Sequence, residues 1–553
     1  MQLINIQEIK KNFKSRLLTI WKEEDEKGNI VKKVGYEKDP EFTFRVSKPE
    51  FQLKNPNKYV PIEHTDLVEC KYNELLDVLC KRAKIEPPED GRYGKALRNK
   101  LLNDYNVLAA DLNLADYKMV EWTEKHLDEI KPYKLKKGFF DIEVDGKDYE
   151  GFPSEEIAPC PINFISFVDN VDRIAYAYVL VNKQNKSMMN FVKQNSKASV
   201  WTSKTVGWCK DYLDELNEQG MDIKDVVIEF YADEFDVIDA FYQNVHASQL
   251  DFLGAWNAYF DIKTIYNRLD QMDVNPTEVM CPSDIKEAYH QAYIKKDEFS
   301  TDKADIAHTF EITGWHHTID LLYYYASIRK GSGKQDSLAL NQVLLNELGE
   351  SKYEYEGEIS EAAYVNFEAF LKYSFYDSLR LMSLEEKNSD IDLMYTLSNE
   401  TYTRINKVMR KTTCLRNLAY KYLKDEGYAL SNNYNQYVDH VKKGKFKGAF
   451  VSDPNLVQRV GIKINGVNTN NVFDDVVDED LESLYPSIIL AFCIDSITLI
   501  GQMIDAYDVP PHIKDAIVNM FGDLICEGDL IAIGNKIFGL PNFEQILEAL
   551  IEE

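Results

Sequence analysis

A multidomain chain of mixed α/β class is what this sequence predicts, on three observations. Its 553 residues are too many for a single hydrophobic core. A cluster of short, apolar, β-rich runs opens at Lys136 and gives way to alternating helical and strand-like segments, the pattern of a layered α/β domain. The stretches on either side have a different texture. The chain is charged and mixed up to about residue 134, mainly helical and polar from 393 to about 443, and runs from a strand into a turn and helix over 476–491.

In the first segment, Glu41-Phe42-Thr43-Phe44-Arg45-Val46 alternates as a half-buried strand does, and 72–79 carries helical periodicity. Glu86-Pro87-Pro88-Glu89-Asp90-Gly91 signals a turn. Gly138-Phe139-Phe140-Asp141-Ile142-Glu143-Val144 then reads as a buried strand with acids on one face. Strand candidates follow at 162–168, 174–180 and 226–231, and a helical run at 262–269. Eight widely scattered cysteines form no C-x-x-C pair, which argues against zinc ribbons and redox motifs and for reduced, buried thiols in a cytosolic protein. The start, Met1-Gln2-Leu3-Ile4-Asn5, lacks a signal peptide's apolar run, and no apolar stretch is long enough to span a bilayer. A cytoplasmic location is therefore expected, that of the host if the protein is phage-encoded.

With 92 acidic against 64 basic residues, the net charge of −28 argues against a protein that grips duplex DNA over its whole surface. It leaves room for one basic groove, for carboxylate-bound divalent metals and for a more basic partner.

Three acidic elements stand out. Asp141 and Glu143 are two residues apart on an apolar strand, so their side chains share a face and repel unless a cation neutralises them; alone, such a pair is commonly just solvent-facing. Asn257-Ala258-Tyr259-Phe260-Asp261 leads into a helix, where Asp261 could equally be an ordinary N-cap. Tyr373 and Asp377 are spaced to share one helix face, as in any amphipathic helix. Taken together and in this order, D-x-E, N-x-x-F-D and Y-x-x-x-D resemble the three exonuclease motifs of family B DNA polymerases of the T-even phage type. Gly151-Phe152-Pro153 and Gly254-x-Trp256-Asn257 strengthen the match. The resemblance implies an RNase H-like 3′→5′ proofreading exonuclease domain. In it Asp141, Glu143, Asp261 and Asp377 would bind two Mg²⁺ or Mn²⁺ ions, Tyr373 would orient the attacking water, and Asn257 and Phe260 would hold the single-stranded 3′ end of DNA.

A second set lies downstream. Asp480-Leu481-Glu482-Ser483-Leu484-Tyr485-Pro486-Ser487-Ile488-Ile489 closely resembles motif A of the family B polymerase palm, the most specific string in the chain. By that resemblance Asp480 and the Leu481 carbonyl would bind two further metal ions. The Ser483, Leu484 and Tyr485 amides would cradle a dNTP, with Tyr485 excluding a 2′-hydroxyl. Lys445-Phe446-Lys447-Gly448 resembles the Y-x-G-G/A element that touches template phosphates of a primer-template, with Phe446 in the tyrosine position.

The family's fingers motif K-x-x-x-N-x-x-Y-G and second palm motif Y-G-D-T-D do not occur in these 553 residues. One motif-A carboxylate cannot hold a two-metal centre alone, so nucleotide transfer is expected to need a second chain with fingers, remaining palm and thumb, in a split polymerase or a truncated one. A sliding clamp is a further candidate partner. The expected layout is an N-terminal domain (1–134), an exonuclease domain (135–392), a return segment (393–442) and a partial palm (443–553). Two other readings compete: a stand-alone 3′→5′ exonuclease, which would need no partner, and a non-catalytic replisome scaffold, which Asp141→Ala would leave unchanged.

Overall fold

The computed structural model describes residues 1–54, 59–330, 337–349, 359–433, 463–464 and 467–468. Lys445, Phe446, Lys447, Gly448, Asp480, Leu481, Ser483, Leu484 and Tyr485 lie outside the described residues. The chain divides into two compact units. One comprises Met1–Phe44, Leu67–Arg92 and Asp111–Leu430, the other Arg45–Asp66, Tyr93–Ala110 and Ser431–Glu553. Every described candidate site residue belongs to the first unit.

That unit opens with three antiparallel strands, β1 (Gln2–Lys11), β2 (Lys14–Glu24) and β3 (Ile30–Glu37). Its centre is a seven-stranded sheet. In chain order the strands are β4 (Lys137–Val144), β5 (Ile162–Asp169), β6 (Ile174–Leu180), β7 (Val200–Trp201), β8 (Asp225–Tyr231), β9 (Phe252–Ala255) and β10 (His317–Asp320). Across the sheet they run β7-β8-β6-β5-β4-β9-β10. Strands β4, β5 and β6 form an antiparallel meander, and β8, β9 and β10 each join parallel to a neighbour. An antiparallel meander extended by parallel strands with helical crossovers is the mixed α/β architecture of the RNase H-like kind expected from the sequence. All four strand candidates are strands, within one residue at most ends.

Helices cover both faces. On one lie α1 (Lys186–Asn195), α2 (Gly207–Glu218), α6 (Ile359–Val365) and the long α7 (Phe367–Asn388); on the other lie α3 (Glu234–Ser248) and α4 (Ala258–Gln271). A short α5 (Leu321–Arg329) follows β10 directly. The alternation along β4 decides which side chain goes where. Phe139 joins the core that includes Phe370 and Phe375 of α7, whereas Phe140 and Ile142 join the core of Phe241, Ile262 and Ile265. Fully burying side chains of this size contributes about 1.5–3 kcal/mol each, which fixes the register of the strand. At Gly138 a Cβ would lie 2.4 Å from Leu250 Cδ1 and 2.9 Å from Phe167 Cε2, so only glycine lets these neighbours close on the strand.

Candidate active site

Asp141 and Glu143 are in phase with Phe139, so β4 turns both carboxylates toward the face covered by α7. Each is half-buried, opposite Ser166 and Phe164 of β5. Phe164 in turn packs edge-on against Phe370 and Phe375, with ring centroids 5.7 and 5.9 Å apart, which seats α7 on this part of the sheet. Tyr373 and Asp377, both buried, lie one turn apart on α7. The Asn366 side chain caps that helix by accepting from the Ala369 amide at 3.1 Å.

Asp261 reaches the same end of the sheet by another route. Strand β9 runs parallel to β4 and hands the chain to α4, whose N-cap is Asn257; Asp261 sits in the first helical turn and is buried. It is therefore not the N-cap that its position before a helical run allows. Burial pushes the Asp261 carboxyl well above the usual carboxylate range, the negative charge of Asp141 raises it further, and the Ile142 amide acts in the opposite direction. The first and second acidic motifs thus lie within electrostatic reach of each other.

Asp320, not singled out from the sequence, also acts there. It ends β10, opposite Ala255 of β9, and its charge adds to the upward push on Asp261. Burial raises its own carboxyl to about 7, against the pull of the Tyr323 and Tyr259 amides that it accepts from. The Tyr323 bond, at 3.0 Å, caps α5. Only the sheet order brings this residue beside Asp261; the one available signal was an acid directly before an apolar helical run, Leu321-Leu322-Tyr323-Tyr324-Tyr325.

Asn257 is exposed at the mouth of this region and Phe260 is half-exposed. The Phe260 ring stands 5.3 Å from that of Phe152, which is 81% exposed. Phe152 belongs to the Gly151-Phe152-Pro153 string that flanks the first motif. An exposed aromatic pair beside buried acids offers a surface on which a base can stack.

Among the described residues no group of three or more His, Cys, Asp or Glu side chains is placed to hold a metal ion. The donor set nevertheless fits a divalent cation: hard oxygen ligands, one of them buried and destabilised by the charge of its neighbour, with no basic side chain among the largest influences on it.

Comparison with known proteins finds similarity to one family. The family model described as the exonuclease domain of family B DNA polymerases matches residues 114–317. A DNA-directed DNA polymerase of Escherichia phage RB69 is 24% identical over 400 residues, 70% of this chain and 39% of the relative. A DNA-directed DNA polymerase of Enterobacteria phage T4 is 24% identical over 442 residues, 78% of this chain and 43% of the relative. The chain thus spans about two-fifths of the length of these curated relatives. Among the described residues no helix is long and apolar enough to cross a membrane.

Proposed function

The chain is related to the N-terminal part of T-even-type family B DNA polymerases, and on that premise we propose that it is a metal-dependent 3′→5′ proofreading exonuclease carrying part of a polymerase active site. The observation that carries this reading is that Asp141 and the buried Asp261, from separate elements, lie within electrostatic reach, on the sheet end where β4 also presents Glu143 toward the helix of Tyr373 and Asp377.

In this reading Asp141, Glu143, Asp261 and Asp377 hold two Mg²⁺ or Mn²⁺ ions, which when bound supply an activated water and neutralise the anionic scissile phosphate. Tyr373, one turn from Asp377, orients the water. Asn257 and the Phe152–Phe260 pair receive the last bases of a single-stranded 3′ end. Burial of Asp261 and Asp377 keeps their carboxylates in fixed positions and limits competition from bulk water.

By function, residues 135–392 form the exonuclease domain, flanked by an N-terminal domain (1–134) with its return segment (393–442) and by a partial palm (443–553). In the palm, Asp480 and Leu481 would bind metal, Ser483 to Tyr485 the dNTP, and Lys445 to Gly448 the primer-template. Nucleotide transfer then depends on fingers, second palm motif and thumb from outside these 553 residues. The intact motif A favours such a completed polymerase over a stand-alone exonuclease, which has no physical need for that string.

The test is degradation of a 3′-labelled single-stranded oligonucleotide. Wild type should release nucleotides from the 3′ end with Mg²⁺ or Mn²⁺ and stop on chelation. Asp141→Ala should lose more than the roughly 100-fold that mutation of an outer-shell partner costs. Undiminished hydrolysis by Asp141→Ala, or in excess chelator, would overturn the reading.

A further inference from the structure

A cavity of about 700 Å³ opens at the same end and on the same face of the sheet as Asp141 and Glu143, but none of the four motif carboxylates lines it. Its walls are the C-terminal ends of β6 and β8, the start of β5, and α1 and α6. Its volume is that of a small-molecule site, which is usually apolar with a few placed polar groups. Three features define what fits. Phe230, Tyr231 and Tyr364 provide rings, and Met188 adds an apolar wall. Exposed Lys183 and Lys197 place two cationic side chains at the edge of the cavity, in a chain whose net charge is −28. Asn163 Oδ1 is buried in the lining without a hydrogen-bond partner, an acceptor in need of a donor.

The one acid in the lining, Asp145, is already engaged. Its carboxylate accepts from the Tyr364 hydroxyl at 2.5 Å, and that hydroxyl accepts from Asn182 Nδ2 at 3.0 Å. The lining thus suits a planar, partly apolar group with its own N–H or O–H donor and an attached anion. A nucleoside 5′-monophosphate has all three, and it is what 3′→5′ hydrolysis leaves behind.

We infer that this cavity is a product site that retains the free nucleoside 5′-monophosphate after cleavage, with Lys183 and Lys197 on the phosphate. The inference rests on the exonuclease reading for its ligand, but the two can fail separately. With dAMP as probe, equilibrium dialysis of the full chain in EDTA should show binding to wild type and to Asp141→Ala alike. The Lys183→Ala/Lys197→Ala double variant should bind roughly tenfold more weakly, the loss of a charge-assisted contact. Both lysines are exposed, so folding is not at stake. In the cleavage assay the double variant should raise the inhibition constant of dAMP by the same factor while KM for the oligonucleotide stays within about twofold. No dAMP binding to wild type, equal binding by the double variant, or loss of binding in Asp141→Ala would overturn the product site. A raised KM with unchanged dAMP inhibition would also overturn it, assigning the lysines to the strand end instead. If wild type binds dAMP with the lysine dependence described yet cleaves no DNA, the cavity assignment stands and the exonuclease reading falls.

Discussion

At the scale of single residues, the candidate site depends on side chains held by backbone amides. Asp320 is the clearest case, because it accepts from Tyr259 in the first turn of α4 and from Tyr323 in the first turn of α5. Two turns that bear on the site are thereby tied to the end of one strand, and Asp261 lies two residues beyond Tyr259. Asp320→Ala removes both bonds. A lost cap costs about 1 kcal/mol of stability, and loss of an outer-shell partner at a metal site lowers activity roughly 10–100-fold. Asp320→Asn keeps an acceptor oxygen for the Tyr323 amide and should restore most of the activity. If Ala and Asn variants cleave a labelled oligonucleotide equally well, Asp320 does not position Asp261. The sequence could not reveal this residue, because its neighbour in space, Ala255, is 65 positions away in sequence and joined only by the parallel pairing of β9 and β10.

At the scale of elements, the strands were legible and their neighbours were not. Apolar runs such as Ile174-Ala175-Tyr176-Ala177-Tyr178-Val179-Leu180 announce β structure through β-branched and aromatic content. The i, i+2 spacing of Asp141 and Glu143 announces a shared face. Nothing in one dimension states that β4 lies between β5 and β9, yet this order is what brings Asp261 to Asp141. The N-terminal strands were equally opaque, although they are tied to the central sheet by a buried charge cluster. Lys22 of β2 and Lys32 of β3 meet the fully buried Asp251, just before β9, at 2.5 and 2.8 Å. Removing that carboxylate strands two ammonium groups, and breaking a buried pair costs about 3–5 kcal/mol, so Asp251→Ala should be among the most destabilising single changes in urea titration. The same cluster has a pH signature. Burial pulls the Lys32 ammonium down to about 8, with Asp251 opposing. Between about 8 and the ordinary lysine value of 10.5 the unfolded chain then binds the extra proton. This group's contribution to stability therefore grows as pH rises through that window and is lost as pH falls back through it. The wild-type profile should show that rise and a Lys32→Met profile should lack it. Identical slopes for both would place Lys32 in water.

At the scale of the whole molecule, charge sets how DNA can be held. Acids outnumber bases by 92 to 64, and the residues proposed for the 3′ end among those described, Asn257, Phe260 and Phe152, carry no charge at all. In the proposed reading, recognition at this site would be by stacking and hydrogen bonds, with phosphate neutralisation left to the divalent ions. That distinguishes the chain from nucleic-acid proteins whose affinity comes from released counterions. For single strands the slope of log affinity against log salt is about −0.7 per phosphate neutralised by a side chain, so a site with one or two cationic contacts gives a slope no steeper than about −1.5. Fluorescence anisotropy of a labelled tetranucleotide on Asp141→Ala protein should accordingly change less than about tenfold between 50 and 200 mM monovalent salt at fixed Mg²⁺. A slope of about −4 or steeper would require a basic groove of several lysines and arginines, and would move the principal DNA contact away from the aromatic pair. In the proposed arrangement, long-range capture of DNA would fall to a partner that completes the palm. Adding a basic subunit that completes the palm should steepen the salt dependence and speed association, since steering scales with the summed field of the complex and not with contacts at the 3′ end.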